Sequence, residues 1–272
     1  MITSRNYSFG TVVPFLAVHA GCAAVLLLPF RWSWVTLMLA MYAIRMFGIT
    51  AGYHRYFSHR TYKLSRVWQF MLAFLAETSG QKGVLWWAAH HRLHHQHADG
   101  ELDVHSPGRR GFWWAHVGWI LSNDYDEYDV GLIRDFSKYP ELFWLDQHYL
   151  VPPAVLGGLL LLAGGPGAFV WGFVVSTVLL FHATFTINSL AHLWGSRRFN
   201  TADDSRNNFV LAMITLGEGW HNNHHQFMYA CRQGIRWWEL DVTFYGLKLL
   251  SRLGIAKDLR EIRPTLGEGR LR

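Results

Sequence analysis

Apolar and polar positions alternate along this chain in blocks too long for a soluble fold. An apolar run covers residues from about 11 to 30, and after a single basic break at Arg31 a second covers about 32–52. Each has the roughly 20 residues a helix needs to cross a hydrocarbon core, so together they predict a helical hairpin. Two further spans are expected at about 149–163 and 167–190, joined by the uncharged turn Gly164-Gly165-Pro166-Gly167. The stretch from Val67 to Trp87 is apolar but interrupted by Glu77 to Lys82, which predicts an interfacial amphipathic helix and no crossing. The apolar island at 111–121 is also too short to cross and is expected at headgroup level. The fold class that follows is an all-α membrane protein with four transmembrane helices. Its polar segments, 53–148 and 191–272, form a helical cap, and residues 1–272 make one domain. No internal repeat exists beyond a crude 2+2 arrangement of spans.

Charge orients this scheme. Most Lys and Arg lie in the two long polar segments, and the short connections hold one Arg or none. The positive-inside rule then puts both segments and both termini on the cytoplasmic side of a multi-pass integral membrane protein. Of the 272 residues, 51% are hydrophobic, and the chain holds 14 Trp, 11 Tyr and 18 Phe. The net charge of +6 is spread out and forms no basic stripe, which excludes a nucleic-acid partner. Cys22 and Cys231 read as free thiols, far apart in sequence. Arg45, inside the second span, either snorkels to the headgroups or serves the interior.

Histidine changes the picture most. His91, His94 and His95 stand at i, i+3 and i+4, and His221, His224 and His225 repeat the spacing. On a helix each trio projects from one face. His54 and His59 form a looser pair, and His192 follows Asn188 by one turn. Five residues apart, His54 and His59 fall on different faces of an α-helix. Either the chain bends there or the two serve different metals. Nine imidazoles exceed the coordination of one ion, and four-coordinate zinc would leave most idle. Two five- or six-coordinate ions use them all. His19, His182, His116 and His148 read as packed or hydrogen-bonded side chains, and His90, His97 and His105 as flanking residues.

The segments HRYFSH (54–59), HRLHH (91–95), NSLAH (188–192) and GEGWHNNHH (217–225), together with GFWWAHVGW (111–119), resemble the membrane fatty acid desaturases, nearest to the delta-9 acyl-CoA desaturases of the stearoyl-CoA type. The resemblance implies a mushroom-like fold of four spanning helices under a cytosolic cap. It implies two Fe ions held by His54, His59, His91, His94, His95, His192, His221, His224 and His225, with Asn188 acting through a water. Zn can replace iron in recombinant members. The implied activity is O2-dependent insertion of a cis double bond, at delta-9, into a saturated acyl chain. Gln81 and Trp87 match tunnel-lining residues, and Tyr42 with Met46 is expected to form the tunnel floor. Two electrons come from an external donor of cytochrome b5, ferredoxin or rubredoxin type, since no flavin, haem or iron–sulfur motif is present.

Departures from the pattern at Ala89-His90 and Val104 leave the acyl carrier open among CoA, acyl carrier protein and membrane lipid. Arg55, Arg60, Lys63, Lys82, Arg109, Arg110, Arg197 and Arg198 are candidates to meet CoA phosphates or anionic headgroups. Glu77, Asp99, Asp103, Asp204 and Glu218 are candidates to orient the imidazoles. Two other readings share these residues: a membrane di-iron lipid hydroxylase, and a histidine-rich metal carrier or sensor.

Overall fold

Helix boundaries follow the apolar blocks, and capping chemistry trims them. The computed structural model describes Tyr7 and residues 9–262. The termini assigned above to the cytoplasmic side, and the outermost parts of domain 1–272, lie outside the described residues. Helix α1 (Phe9–Gly21) passes into a 3-10 segment, Cys22–Leu27, and α2 (Trp32–Phe47) continues unbroken as a π-helix, Gly48–Ser58. Helices α3 (Arg66–Glu77) and α4 (Val84–His97) follow, then α5 (Pro140–Gln147) and α6 (Val151–Phe169). A second π-helical segment, Val170–Val175, leads into α7 (Ser176–Ser189). Finally come α8 (Phe209–Ile214), α9 (His221–Gln226) and α10 (Val242–Arg252). Among the described residues there is no strand, only isolated bridges such as Lys63 with Lys257.

Among the described residues, three helical runs are long and apolar enough to cross a membrane: Phe9–Leu27, Trp32–Ser58 and Val151–His192, of 19, 27 and 42 residues. The last holds both the third and the fourth expected spans, two helices joined across a kink. Forty-two residues make about 63 Å of helix, twice the roughly 30 Å of a hydrocarbon core. Gly165 resolves the mismatch. It sits at φ 69°, ψ −166°, a conformation essentially restricted to glycine, and there the chain turns back. A Cβ on Gly157 would meet the Phe169 ring at 3.2 Å and Phe173 at 3.5 Å, so the two arms lie side by side. Outward-facing Leu26, Leu27, Trp32 and Leu162 are each at least 75% exposed, as lipid-facing residues are.

The expected single interfacial helix at 67–87 is instead two. The turn between α3 and α4 holds two left-handed residues, Gly80 and Lys82, and α4 starts afresh at Val84. Gly83 gives α4 no side-chain cap. Carboxylates from elsewhere supply it: Glu77 Oε1 accepts from Val84 N at 2.9 Å, and Asp146 Oδ1 from Leu85 N and Trp86 N at 2.8 and 3.0 Å. This matters because α4 carries three of the nine imidazoles. The island at 111–121 does not all face outward: Trp114 and Trp119 are buried with Trp86, while Trp113 is exposed.

Candidate metal centre

Two groups of imidazoles converge where α2, α4, α7 and α9 meet. The first holds His54, His59, His91, His95 and His224, and the second His94, His192, His221 and His225. All nine histidines singled out by sequence are in one or the other. His54 and His59 serve the same group, and the reason is the π-helix. Its wide turn bonds i to i+5, here His59 N to His54 O at 3.2 Å, so residues five apart share a face. The two rings lie 4.8 Å apart, centroid to centroid.

The spacing of the ring nitrogens carries chemical information. In the first group, Nε2 pairs lie 2.8 Å apart for His59–His91, 3.0 Å for His91–His95, 2.9 Å for His95–His224 and 3.0 Å for His224–His54. In the second, His192–His221 and His221–His225 are each 3.1 Å apart. With metal–nitrogen bonds of about 2.1 Å, ligands at right angles sit about 3.0 Å apart and tetrahedral ones about 3.4 Å. The observed set fits octahedral-type coordination. Imidazole nitrogen suits iron, zinc, copper and nickel.

Which nitrogen faces inward is set from behind. Glu218 Oε2 lies 2.5 Å from His54 Nδ1, Asp103 Oδ2 3.1 Å from His94 Nδ1, Asp99 Oδ2 2.8 Å from His192 Nδ1, and Asp203 Oδ2 3.0 Å from His225 Nδ1. Each Nδ1–H donates to its carboxylate, which leaves the Nε2 lone pair for a metal. His94 Nε2 is buried with no hydrogen-bond partner among the described residues. Four of the nine rings thus turn a free Nε2 lone pair inward, and the ligand atoms of each group lie within 4.8 Å of one another, so the residues present fit a pair of metal ions.

Electrostatics agree with neutral ligands. Burial first, then neighbouring imidazoles, hold His91, His95, His221 and His224 well below the ordinary histidine value. His94 differs: burial disfavours its proton, but the Asp103 carboxylate outweighs burial and raises it. Burial also works against ionisation of Glu218, yet His54 and Arg55 draw its carboxyl down to about 2.

Other expectations sort by position. Asp99, Asp103 and Glu218 orient imidazoles as anticipated, but Asp204 does not. Its neighbour Asp203 takes that place, and the Asp204 side chain pairs with Arg197 at 3.6 Å. Glu77 caps α4. His105, read from sequence as a flanking residue, forms a third cluster with His94 and Asp103; its Nδ1 lies 3.8 Å from Asp103 Oδ1 and has no hydrogen bond among the described residues. Lone His19, His182 and His116 link into one chain, Nε2 to Nε2 at 3.0 Å and Nδ1 to Nε2 at 3.1 Å, ending on Ser189 Oγ at 2.9 Å.

Of the basic residues offered for phosphates, Arg55 is buried between Glu218 and Asp241 at 2.9 Å from each. Arg60, Lys63 and Lys82 pair with Asp135, Asp258 and Asp126, and Arg198 with Glu239. Arg109 donates to the Asp99 carbonyl, and Arg110 to the Tyr125 hydroxyl.

Two cavities meet at the imidazoles. The larger, about 270 Å³, runs from His91, His105 and Asn188 past Trp87 and Gln81, between α1 and α7, as far as Val18, Phe173 and Thr177. Its wall is mostly apolar. The smaller, about 30 Å³, lies against His54, His94, His221 and Met46 and shares Trp87 and Asn188 with the first. Tyr42 lines neither cavity; its hydroxyl donates to the Ile214 carbonyl at 2.5 Å.

Comparison with known proteins agrees with this geometry. A family model described as fatty acid desaturase matches residues 29–248. The acyl-CoA C20 delta-5 desaturase of Anemone leveillei is 40% identical over 235 residues, 85% of this chain and 75% of that protein. The sn-2 palmitoyl-lipid 9-desaturase of a Nostoc species is 38% identical over 265 residues, covering 93% and 90%. The sn-1 stearoyl-lipid 9-desaturase of Anabaena variabilis is 36% identical over 250 residues, covering 90% and 91%.

Proposed function

Because the chain belongs to the fatty acid desaturase family, we propose that it is an O2-dependent desaturase placing a cis double bond at delta-9 of a saturated fatty acyl chain, carried as acyl-CoA. One observation supports this above the others: two imidazole groups stand beside a long apolar cavity. An apolar cavity of that shape takes a hydrocarbon chain, and the imidazoles sit where its middle would pass.

On this reading His54, His59, His91, His95 and His224 hold one Fe, and His94, His192, His221 and His225 hold the other, with Asn188 acting through a water. Bound iron supplies the redox chemistry with O2 that attack on an unactivated methylene demands. The protein's own residues do the rest. Asp99, Asp103, Asp203 and Glu218 fix the imidazole tautomers. Trp87, stacked on His91 with centroids 5.0 Å apart, forms a flat wall beside the reacting methylenes. Gln81 donates to Thr184 Oγ1 at 3.1 Å, which tethers its amide to α7 beside the cavity. Met46 bounds the small cavity, whose volume is near that of one water. Four membrane crossings follow if each arm around Gly165 crosses once. The cap then faces the cytoplasm, where an external electron donor of cytochrome b5, ferredoxin or rubredoxin type docks.

The test supplies labelled stearoyl-CoA to iron-loaded protein in lipid vesicles with O2 and a reduced donor. The expected product has lost two hydrogens, with the double bond at delta-9 by fragmentation mass spectrometry. Gain of one oxygen would establish the hydroxylase instead, and intact substrate would leave the metal carrier or sensor.

A further inference from the structure

Arg45 is a cation inside a membrane-spanning helix, 1% exposed, and none of its hydrogen-bond partners is a carboxylate. Its Nε donates to the Met41 carbonyl at 3.3 Å. Its Nη1 donates to the Thr78 carbonyl at 3.2 Å and to Thr177 Oγ1 at 2.7 Å. Its Nη2 donates to the Phe173 carbonyl at 3.4 Å and to Ser176 Oγ. The guanidinium also lies over the Phe173 ring, 5.5 Å from its centroid. Every donor direction is used, and on neutral oxygens alone. An intramembrane charge kept at such cost calls for a role.

Its partners indicate that role. Phe173 and Thr177 are the residues of the α7 run farthest from Asn188 that still line the larger cavity. Eleven residues separate Thr177 from Asn188, about 16 Å along a helix. Arg45 therefore stands directly behind the end of the cavity and holds that end in place through both of its lining residues. It also ties α2 to the α3–α4 turn through Thr78. An acyl chain one methylene too long has to push Thr177 or Phe173 off the guanidinium and leave a buried charge short of acceptors.

We propose that Arg45, through Thr177 and Phe173, is the floor of the acyl cavity and sets the maximum chain length accepted. This inference rests on the desaturase reading. It moves the length limit from Tyr42 and Met46 to Arg45, which like them does not line the larger cavity but, through its hydrogen bonds, holds Thr177 and Phe173, which do.

The test uses full-length iron-loaded protein in lipid vesicles with a graded series of saturated acyl-CoAs. Two readouts run in parallel: desaturated product by chain length, and displacement of a dansylated fatty acid, which needs no turnover. Arg45→Met opens the floor and should admit chains two carbons longer. Thr177→Leu fills the end and should discriminate against the longest accepted chain by about tenfold or more, the effect of a methylene in a tight apolar pocket. Arg45 acting only as a clamp would lower yield and leave both length profiles as in wild type, and that result overturns the proposal. If Arg45→Met does not accumulate, Thr177→Leu, which leaves Arg45 its other acceptors, decides alone. Wild type that binds with a length cutoff but desaturates nothing would sink the desaturase reading while the variants still decide the floor.

Discussion

The carboxylates behind the imidazoles are where single residues decide whether metal stays bound. Asp203→Asn keeps the shape beside His225 but loses the charge that fixes its tautomer. Metal affinity at the second group should fall about 10- to 100-fold, read by competition with a chelator, while the first group keeps its metal. Asp204→Asn, one residue on, should change affinity little, because that side chain faces Arg197. The gathering of these nine imidazoles into two groups was legible in sequence because their spacing repeats and their motifs match a family. The choice of Asp203 over Asp204 was not. It depends on the turn in which Ser205 N bonds Asp203 Oδ1 at 2.9 Å while Asp204 N bonds Asp99. His105 carries no spacing signal at all; only the fold brings it to His94.

Helices that carry ligands depend on their ends and on their pitch. Burial, aided by the nearby Asp146 charge and opposed by the Val84 N–H, lifts Glu77 to about 9 from the ordinary 4.5. The folded protein thus prefers Glu77 protonated. The sign follows: its stability is complete below about 4.5, where the unfolded chain is protonated too, and is lost as pH rises toward about 9. Glu77→Gln should match wild type near pH 5 and exceed its melting temperature at pH 8. Glu77→Ala removes the acceptor for Val84 N and should cost about 1 kcal/mol near pH 5, a deficit that shrinks by pH 8 as wild type itself loses stability. Patterning placed α3 and α4 in the right residues but joined them, since an apolar tally does not register two left-handed turn residues. Nor does periodicity reveal a π-helix. The assumption of 3.6 residues per turn separated His54 from His59, and the wider turn reunites them.

At the scale of the whole chain, the apolar blocks marked the helical runs long enough to cross a membrane, and the turn expected at 164–167 falls at the Gly165 kink. Side-selective labelling tests the crossings in the native membrane, in a background lacking Cys22 and Cys231. A single cysteine at Glu101 should react with an impermeant maleimide only from the cap side. One at Ala163 should react only from the opposite side, and same-sided labelling of both would rule out four crossings. One further consequence comes from α9. Its six residues supply His224 to one group and His221 with His225 to the other, so neither group closes without it. His95 and His224 are 129 residues apart, roughly 6–26 s of ribosome time at 5–20 residues per second. The early imidazoles therefore leave the ribosome well ahead of their partners, and neither group can close until α9 has been translated. A nascent chain halted before His221 keeps its greasy anchors and six of the nine imidazoles, yet completes neither group.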